Sequence, residues 1–352
     1  MKSISGSCFV FLLIRFIRIE SVKRQIQNVL HCLLLLTGFM LPDLTLAADT
    51  EAVKVGVLKF GTVNWELLAM KHGELDHAEG VDVEIVPYAS SEATKIALQG
   101  GAVDVIVTDW LWVSRQRANG QPLTFVPYSS AVGAIMVAAD SSIDSIADIR
   151  GKKIGIAGGP LDKSWLLVQG MSLQEFGVDL KAENEIAYGA PPLLAEKTRQ
   201  GELDAMLNYW HYSARLEAVG FKRVVSVEEA ATALGASGPV SAIGYVFSDR
   251  WASENPIAAS GFLKASRHTK QKLNESDEEW QRLVSVGAIK DKGAALLVLR
   301  DRFREGIPHR PIDEEKADAG KLYTKLAELG GRKLVGNAKS IVDGTYWQGL
   351  TE

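Results

Sequence analysis

The stretch VDVIVTDWLWVSR at residues 103–115 is written again in outline as LDAMLNYWHYSAR at residues 203–215. In both copies an apolar run comes first and a tryptophan opens the next segment, the order expected of a buried strand followed by a helix. The identical residues of a gapless alignment include Gly101 with Gly201, Asp104 with Asp204, Trp110 with Trp210, Arg115 with Arg215 and Gly120 with Gly220. The chain therefore repeats one strand-and-helix unit.

The same alternation extends to both sides of the repeated stretch. In the first half, the pattern predicts strands at 53–60, 81–88 and 103–107 and helices at 65–72, 93–99 and 110–118. In the second half, KIGIA at 153–157 resembles KVGVL at 54–58, and Trp165 corresponds to Trp65. Short connections between strands and helices imply parallel sheets. A repeat of this length is too long for a solenoid and predicts two similar lobes.

Two apolar runs connect these halves. TFVPYSSAVGAIMVAAD at 124–140 and PVSAIGYVF at 239–247 have no linker composition, so we expect extended strands that carry the chain between lobes. The predicted fold is α/β, with two lobes that each hold a central, mostly parallel sheet flanked by helices, two hinge strands, and a helical C-terminus packed on lobe 1. The predicted boundaries are 1–47 for a signal peptide, 48–135 plus 245–352 for lobe 1, and 136–244 for lobe 2.

The N-terminus has the order of a secretory signal. Basic residues precede the apolar run VLHCLLLLTGFML, and small residues follow at 45–48. Such a run is short for a bilayer span and favours a cleaved peptide and a periplasmic location, with an uncleaved anchor as the alternative. Because Cys8 and Cys32 both lie in this segment, the mature chain would have no thiol and no Cys-ligated metal.

Charge and motifs exclude several functions. Removing residues 1–47 takes five of 39 Lys/Arg and two of 43 Asp/Glu, which leaves a net charge of −7 without a basic cluster. We therefore expect neither nucleic acid nor an anionic membrane as a partner. No sequence motif of a hydrolase nucleophile or zinc site is present. His72 and His77 are separated by a turn-rich segment, and His211 has no evident base or nucleophile, so we predict no metal, no cofactor and no enzyme.

The loops after the predicted strands are candidates for a binding cleft, because ligands of open α/β sheets bind beyond the carboxyl ends of the strands. Aromatic residues follow four of these loops, and their rings either wall the cleft or pack in the core and between lobes: Trp65, Trp110, Trp165 and Trp210. Five residues are N-cap types that either cap a helix or contact ligand: Asn64, Thr108, Asp109, Ser164 and Asn208.

The charge of the ligand stays open at this point. Free N–H groups at helix N-termini favour an anion such as a sulfonate, nitrate or carboxylate. Asp109 would repel that anion and favours an amine or an amidine-like ring. Lys59, Lys163 and Arg115 could offset Asp109, although each is expected to be a solvated surface charge.

The mature chain resembles the type II periplasmic solute-binding proteins, in the NMT1-like group that serves ABC importers of nitrate, taurine, aliphatic sulfonates and thiamine-precursor pyrimidines. The residues that carry the resemblance are ALQGGAVDVIV at 97–107 and SIADIRGKKIGIAGG at 145–159. One departure is T-D-W-L-W at 108–112, where many relatives have a Gly and a nearby Pro. The ligand class therefore cannot be transferred from the family.

The resemblance implies an exported receptor that captures a small polar solute by hinge closure and presents it to an inner-membrane ABC permease with its cytoplasmic ATPase. We expect a monomer. A periplasmic enzyme on the same scaffold and a ligand-sensing module remain alternatives. The resemblance places the ligand near ten residues: Asn64, Trp65, Ser90, Ser91, Asp109, Trp110, Ser164, Trp165, Tyr188 and Tyr209.

Overall fold

The structure is a computed structural model that describes residues 50–349. The predicted signal peptide at 1–47, with Cys8 and Cys32, lies outside the described residues. Across residues 50–349, no helix combines the length and the apolar character that crossing a membrane requires.

The strands form two sheets of five. In chain order they are β1 (Glu51–Leu58), β2 (Val81–Tyr88), β3 (Val105–Thr108), β4 (Leu123–Ser129), β5 (Ala134–Val137), β6 (Lys153–Ala157), β7 (Glu185–Gly189), β8 (Ala205–Leu207), β9 (Lys222–Ser226) and β10 (Ile243–Ser248). The first sheet has the order β2-β1-β3-β10-β4 and the second β7-β6-β8-β5-β9. We call the first sheet with the helices before β4 lobe 1, and the second sheet with the helices from β6 to β9 lobe 2.

Both sheets are mixed in the same way. The strands β2, β1 and β3 run parallel, and so do β7, β6 and β8. The fourth strand of each sheet is antiparallel to both its neighbours: β10 in lobe 1 and β5 in lobe 2. These are the two strands that enter a sheet directly after the chain has crossed from the other lobe. The predicted α/β fold with two similar, mostly parallel sheets is confirmed.

Helices flank both sheets and form the C-terminal region. They are α1 (Val63–His72), α2 (Leu75–Ala78), α3 (Ser91–Gln99), α4 (Trp110–Ala118), α5 (Lys163–Met171), α6 (Pro191–Arg199), α7 (Trp210–Glu217), α8 (Val227–Ala233), α9 (Asp249–Glu254), α10 (Pro256–Glu275), α11 (Asp277–Ser285), α12 (Ala294–Glu305) and α13 (Ile312–Val335). The sequence places β2, α4 and β6 at the bounds that the structure has.

The repeated aspartates accept equivalent backbone hydrogen bonds in the two lobes. Asp104 accepts a hydrogen bond from the backbone N–H of Lys54 at 2.8 Å, and Asp204 accepts one from Lys153 at 2.7 Å. Each carboxylate thus ties the start of the third strand of its lobe to the first strand. Gly101 and its counterpart have positive φ angles of 71° and 74°, which explains why glycine recurs there.

The C-terminal helices contact both lobes rather than lobe 1 alone. α10 packs on α1 and on the edge of the first sheet, whereas α12 packs on α7, and α13 packs on α5 as well as α4. The sequence assigns residues 245–352 to lobe 1 because their helical spacing cannot show what each apolar face covers. Two helices therefore bridge the lobes.

The four repeated tryptophans lie in two buried seams between the lobes. Trp65 and Trp210, from facing lobes, meet edge to face with ring centroids 5.9 Å apart, and both contact Phe303 of α12. We call this contact the first seam. Trp110 and Trp165 belong to one buried cluster with α13, where Trp110 contacts Tyr323 at 6.5 Å. We call this contact the second seam.

A buried ion pair fastens α10 to α1 in lobe 1. Lys270 Nζ lies 2.8 Å from Glu66 Oε2, and the Glu66 side chain has no exposed surface. Tyr245 and Ser266 donate hydrogen bonds to Glu66 Oε1 at 2.8 and 2.6 Å. Burial lowers the pKa of Lys270 and the Glu66 carboxylate opposes that shift. Both charges are almost completely buried, so each depends on the other.

Removing only the lysine is expected to destabilise the protein strongly. Lys270→Met leaves the Glu66 carboxylate buried without a cation, which should lower the free energy of unfolding by about 3–5 kcal/mol. Urea denaturation measures the loss. The double variant Glu66→Gln/Lys270→Met should recover much of it, and equal destabilisation of the single and double variants would contradict this account.

Candidate ligand cleft

An ion pair joins the two lobes where their parallel strands end. Asp109 follows β3 in lobe 1 and Lys163 opens α5 after β6 in lobe 2. Asp109 Oδ2 lies 3.1 Å from Lys163 Nζ, and the two side chains are 14% and 36% exposed. Because ligands of such sheets bind beyond the carboxyl ends of the strands, this contact marks the candidate ligand cleft.

Helix capping fixes the carboxylates of the cleft. Asp109 Oδ1 accepts a hydrogen bond from the N–H of Trp112 at 2.8 Å, and Asp162 Oδ1 accepts one from Trp165 at 3.1 Å. In each case an N-cap satisfies a helix N-terminus. The remaining oxygen of Asp109 faces the other lobe. The two caps therefore hold negative charge at fixed positions on opposite sides of the cleft.

Burial and ion pairing together determine the direction of the pKa shift at Asp109, Asp162 and Lys163. Burial acts to raise the pKa of Asp109, but Lys163 and the Trp112 N–H outweigh it and lower the pKa. At Asp162 burial prevails and the pKa is raised, although Lys163 opposes the shift. Burial acts to lower the pKa of Lys163, whereas both aspartates raise it above the ordinary value. Lys163 thus stabilises the charged forms of both carboxylates.

The rim of the cleft carries a second charged pair and an exposed phenol. Lys95 and Glu92 lie on α3, 3.9 Å apart, and the Lys95 ammonium lies 5.4 Å from the centroid of Trp112. Tyr209 is 44% exposed at the start of α7. Burial and the charge of Asp162 raise the pKa of the Tyr209 phenol, so this hydroxyl is neutral at physiological pH.

The structure separates the ten residues predicted from the sequence into three groups. Three tryptophans are buried in the seams, with exposures of 5%, 5% and 0%: Trp65, Trp110 and Trp165. Three residues hold their own loop or helix: Asn64 donates to the carbonyls of Leu58 and Gly61, Ser90 caps α3, and the Ser91 carbonyl accepts from Thr94. Asp109 reaches the ion pair across the cleft, and three more lie part-buried or exposed, either in the first turn of α5 or at the ends of β7 and β8: Ser164, Tyr188 and Tyr209.

A small cavity lies beside the ion pair. Its volume is about 80 Å³, and it is lined by Lys163 and Ser164 of lobe 2, by Trp110 of lobe 1, and by Leu322 and Leu326 of α13. Polar and apolar side chains thus both line the cavity. Since a water molecule occupies about 30 Å³, the cavity has room for a small group rather than a large ligand.

Lys163 and Asp162 are the residues whose role the sequence does not reveal. Lys163 is expected to be a solvated surface charge, but it forms the ion pair with Asp109. The sequence offers Ser164 as the N-cap of α5, whereas the structure gives that role to Asp162. The missing information is which loop of lobe 2 faces Asp109, and that depends on how the lobes pack.

The histidines and the remaining acidic cluster have local partners. His72 lies 3.9 Å from Glu279, while His77 faces Asp82 at 3.4 Å, so the two histidines do not converge. Asp76, His77 and Asp82 place ligand atoms within 4.8 Å of one another. However, the Lys71 ammonium already contacts both carboxylates of this group, at 2.6 and 2.7 Å.

Residues 77–279 match the family described as NMT1/THI5 like. This stretch is more than half of the chain and includes Asp109, Lys163 and Tyr209. The chain belongs to the NMT1/THI5-like family. Among curated proteins, no sequence matches it.

Solved structures with the same fold include members named for their ligands. The periplasmic aliphatic sulphonate binding protein of Escherichia coli is 19% identical, with a TM-score of 0.65 over 85% of this chain and 98% of its own. The alkanesulfonate-binding protein of Xanthomonas axonopodis pv. citri, bound to MOPS, is 18% identical, with a TM-score of 0.62 over 86% and 99%. The periplasmic nitrate-binding protein of Synechocystis PCC 6803 is 12% identical, with a TM-score of 0.54 over 83% and 92%. This NMT1/THI5-like chain thus has the fold of type II periplasmic binding proteins.

Seam and rim aromatics should respond differently to truncation. Trp65→Ala removes a ring buried against Trp210 and Trp280 and should lower the free energy of unfolding by about 3–5 kcal/mol. Tyr209→Ala removes a half-exposed ring and should change it by about 1 kcal/mol or less. Urea denaturation of both variants measures the difference. Similar losses would show that the rim ring is part of the core.

His211 should make stability depend on pH. Burial and Arg215 lower its pKa from 6.5 to about 3, so the folded protein holds the neutral imidazole while the unfolded chain takes up a proton. The contribution of neutral His211 to the free energy of unfolding is complete above pH 6.5 and is lost as the pH falls toward 3. The slope should be about 1.4 kcal/mol per pH unit. Denaturation of the wild type and His211→Gln from about pH 7 to about pH 4 isolates it; parallel curves would contradict it.

Proposed function

We propose that this chain is an exported solute-binding receptor of an ABC-type importer, which captures a small polar solute between its lobes in the periplasm. The observation that carries the proposal is the ion pair between Asp109 and Lys163, which brings both lobes to one polar cleft. Family membership and the binding-protein fold support it. The relatives named above bind sulfonates or nitrate, so a small polar solute of comparable size is the natural candidate.

Capture depends on groups from both lobes acting on one molecule. A solute that contacts Asp109 on one side and the Lys163 loop on the other stabilises the closed arrangement more than the open one. The two seams also stabilise the closed arrangement, since opening would expose indole surface that is now buried. The closed protein then presents the faces of both lobes to an inner-membrane permease, in the manner expected of an importer receptor.

An enzyme on this scaffold has weaker support from the same residues. His211 is held neutral by burial, and its ring lies 4.5 Å from the ring of Tyr212. The ion pair of the cleft consists of a capping carboxylate and a lysine whose pKa is raised, which suits binding better than proton transfer. We therefore propose binding without turnover.

Ligand capture should be visible in protein purified from its native periplasm. Native mass spectrometry is expected to show one small molecule per chain, released unchanged on denaturation. A thermal-shift panel of sulfonates, nitrate, pyrimidines and amines should then raise the melting temperature for one class, because binding at 100 times the Kd adds about 2.7 kcal/mol. Asp109→Asn should weaken that shift while it keeps the helix cap. Recovery of a chemically converted molecule would favour the enzyme instead.

A further inference from the structure

The charges of the cleft do not balance. Lys95 and Glu92 lie 3.9 Å apart and together add no net charge, although Lys95 also lowers the pKa of Asp109. Of the remaining three groups, Asp109 and Asp162 are negative and only Lys163 is positive. Lys163 contacts Asp109 at 3.1 Å, while the Asp162 carboxylate accepts a backbone N–H, and among residues 50–349 no cation lies within ion-pair distance of it. The centre of the cleft therefore holds one more carboxylate than cations.

The turn before α5 is built to hold this extra carboxylate. Gly158 has a φ angle of 88°, and a Cβ atom on it would lie 2.5 Å from Asp162 Oδ2. A side chain at this position would therefore displace the carboxylate. Burial raises the pKa of Asp162 even though Lys163 opposes the shift, so Lys163 stabilises the charged form only in part. A positively charged guest would add to that stabilisation.

From this imbalance we propose that the solute captured here carries a positively charged amine, a small organic ammonium, rather than being a simple anion. The inference rests on the proposed receptor function. A guest ammonium would bind the carboxylate of Asp109 and leave Lys163 to Asp162, so that every charge is paired. A sulfonate or nitrate would take Lys163 away from both aspartates and leave two part-buried carboxylates without the cation that they share, which is unfavourable.

In this arrangement Lys163 takes the place that we assign to the ammonium group of the solute. Its ammonium occupies the position beside Asp109 where the solute's ammonium would bind, 3.1 Å from Oδ2. The exposed ring of Tyr209, close enough to Asp162 for that charge to raise its pKa, offers an aromatic face at the rim. Such a face attracts a cation and gives nothing comparable to an anion.

The test uses three probes of similar size and different charge, measured by calorimetry at neutral pH on the full chain: 2-aminoethanol, 2-aminoethanesulfonate and ethanesulfonate. Both amines should bind and ethanesulfonate should not. Asp109→Asn should weaken amine binding about tenfold or more, which corresponds to about 1.4 kcal/mol. Asparagine caps a helix as well as aspartate, so the fold is preserved.

Lys163→Gln discriminates better, because a cationic solute and an anionic solute predict opposite changes in affinity for this variant. Removing the competing ammonium should strengthen 2-aminoethanol binding about tenfold, whereas an anion site would lose its only central cation and weaken. Lys181→Gln makes the same charge change at an exposed position of lobe 2 and should leave affinity unchanged.

Two failures are distinguishable. If ethanesulfonate binds at least as tightly as the amines, or if Lys163→Gln weakens every probe, the charge assignment is overturned and the receptor function stands. If no probe binds and no small molecule accompanies the purified protein, the receptor function fails together with this inference.

Discussion

The structure depends on the burial of four indole rings between its two lobes. Each lobe supplies two tryptophans from the first turns of its helices, and each seam is completed by a C-terminal helix that contacts both lobes. Burying one large apolar side chain contributes about 1.5–3 kcal/mol. Separating the lobes at these seams would expose much of that surface to water. The closed arrangement is thus stabilised by the protein itself, before any solute contributes.

This constraint determines where a solute can bind. The rings that would otherwise wall a cleft are already in contact with each other and with Phe303 or Tyr323. What remains beyond the strand ends is polar: the Asp109–Lys163 pair, the Asp162 cap and the half-exposed Tyr209. Recognition in such a site depends on charge balance more than on apolar fit. For that reason, the count of carboxylates and ammonium groups says more about the ligand than the family name does.

The duplicated stretch explains much of the architecture. Asp104 and Asp204 make equivalent hydrogen bonds, and the recurring glycines adopt equivalent positive φ angles, so these identities reflect local backbone geometry. Trp110 and Trp210 also recur, but they contact different helices. The repeated residues therefore give both lobes the same backbone geometry. The helices that pack against the repeated tryptophans differ between the lobes and come from the C-terminal region.

The sequence by itself determined the α/β class, the two similar sheets and the crossing strands, because these follow from apolar periodicity and from turn residues that act over a few positions. Only the tertiary structure decided the role of Trp65 and Trp110 in the seams, the bridging by α12 and α13, and the pairing of Lys163 with Asp109. A tryptophan or a lysine at a helix start has the same local signal whether it faces core, ligand or water. Its role is fixed by which surface packs opposite it, and that surface is distant in the chain.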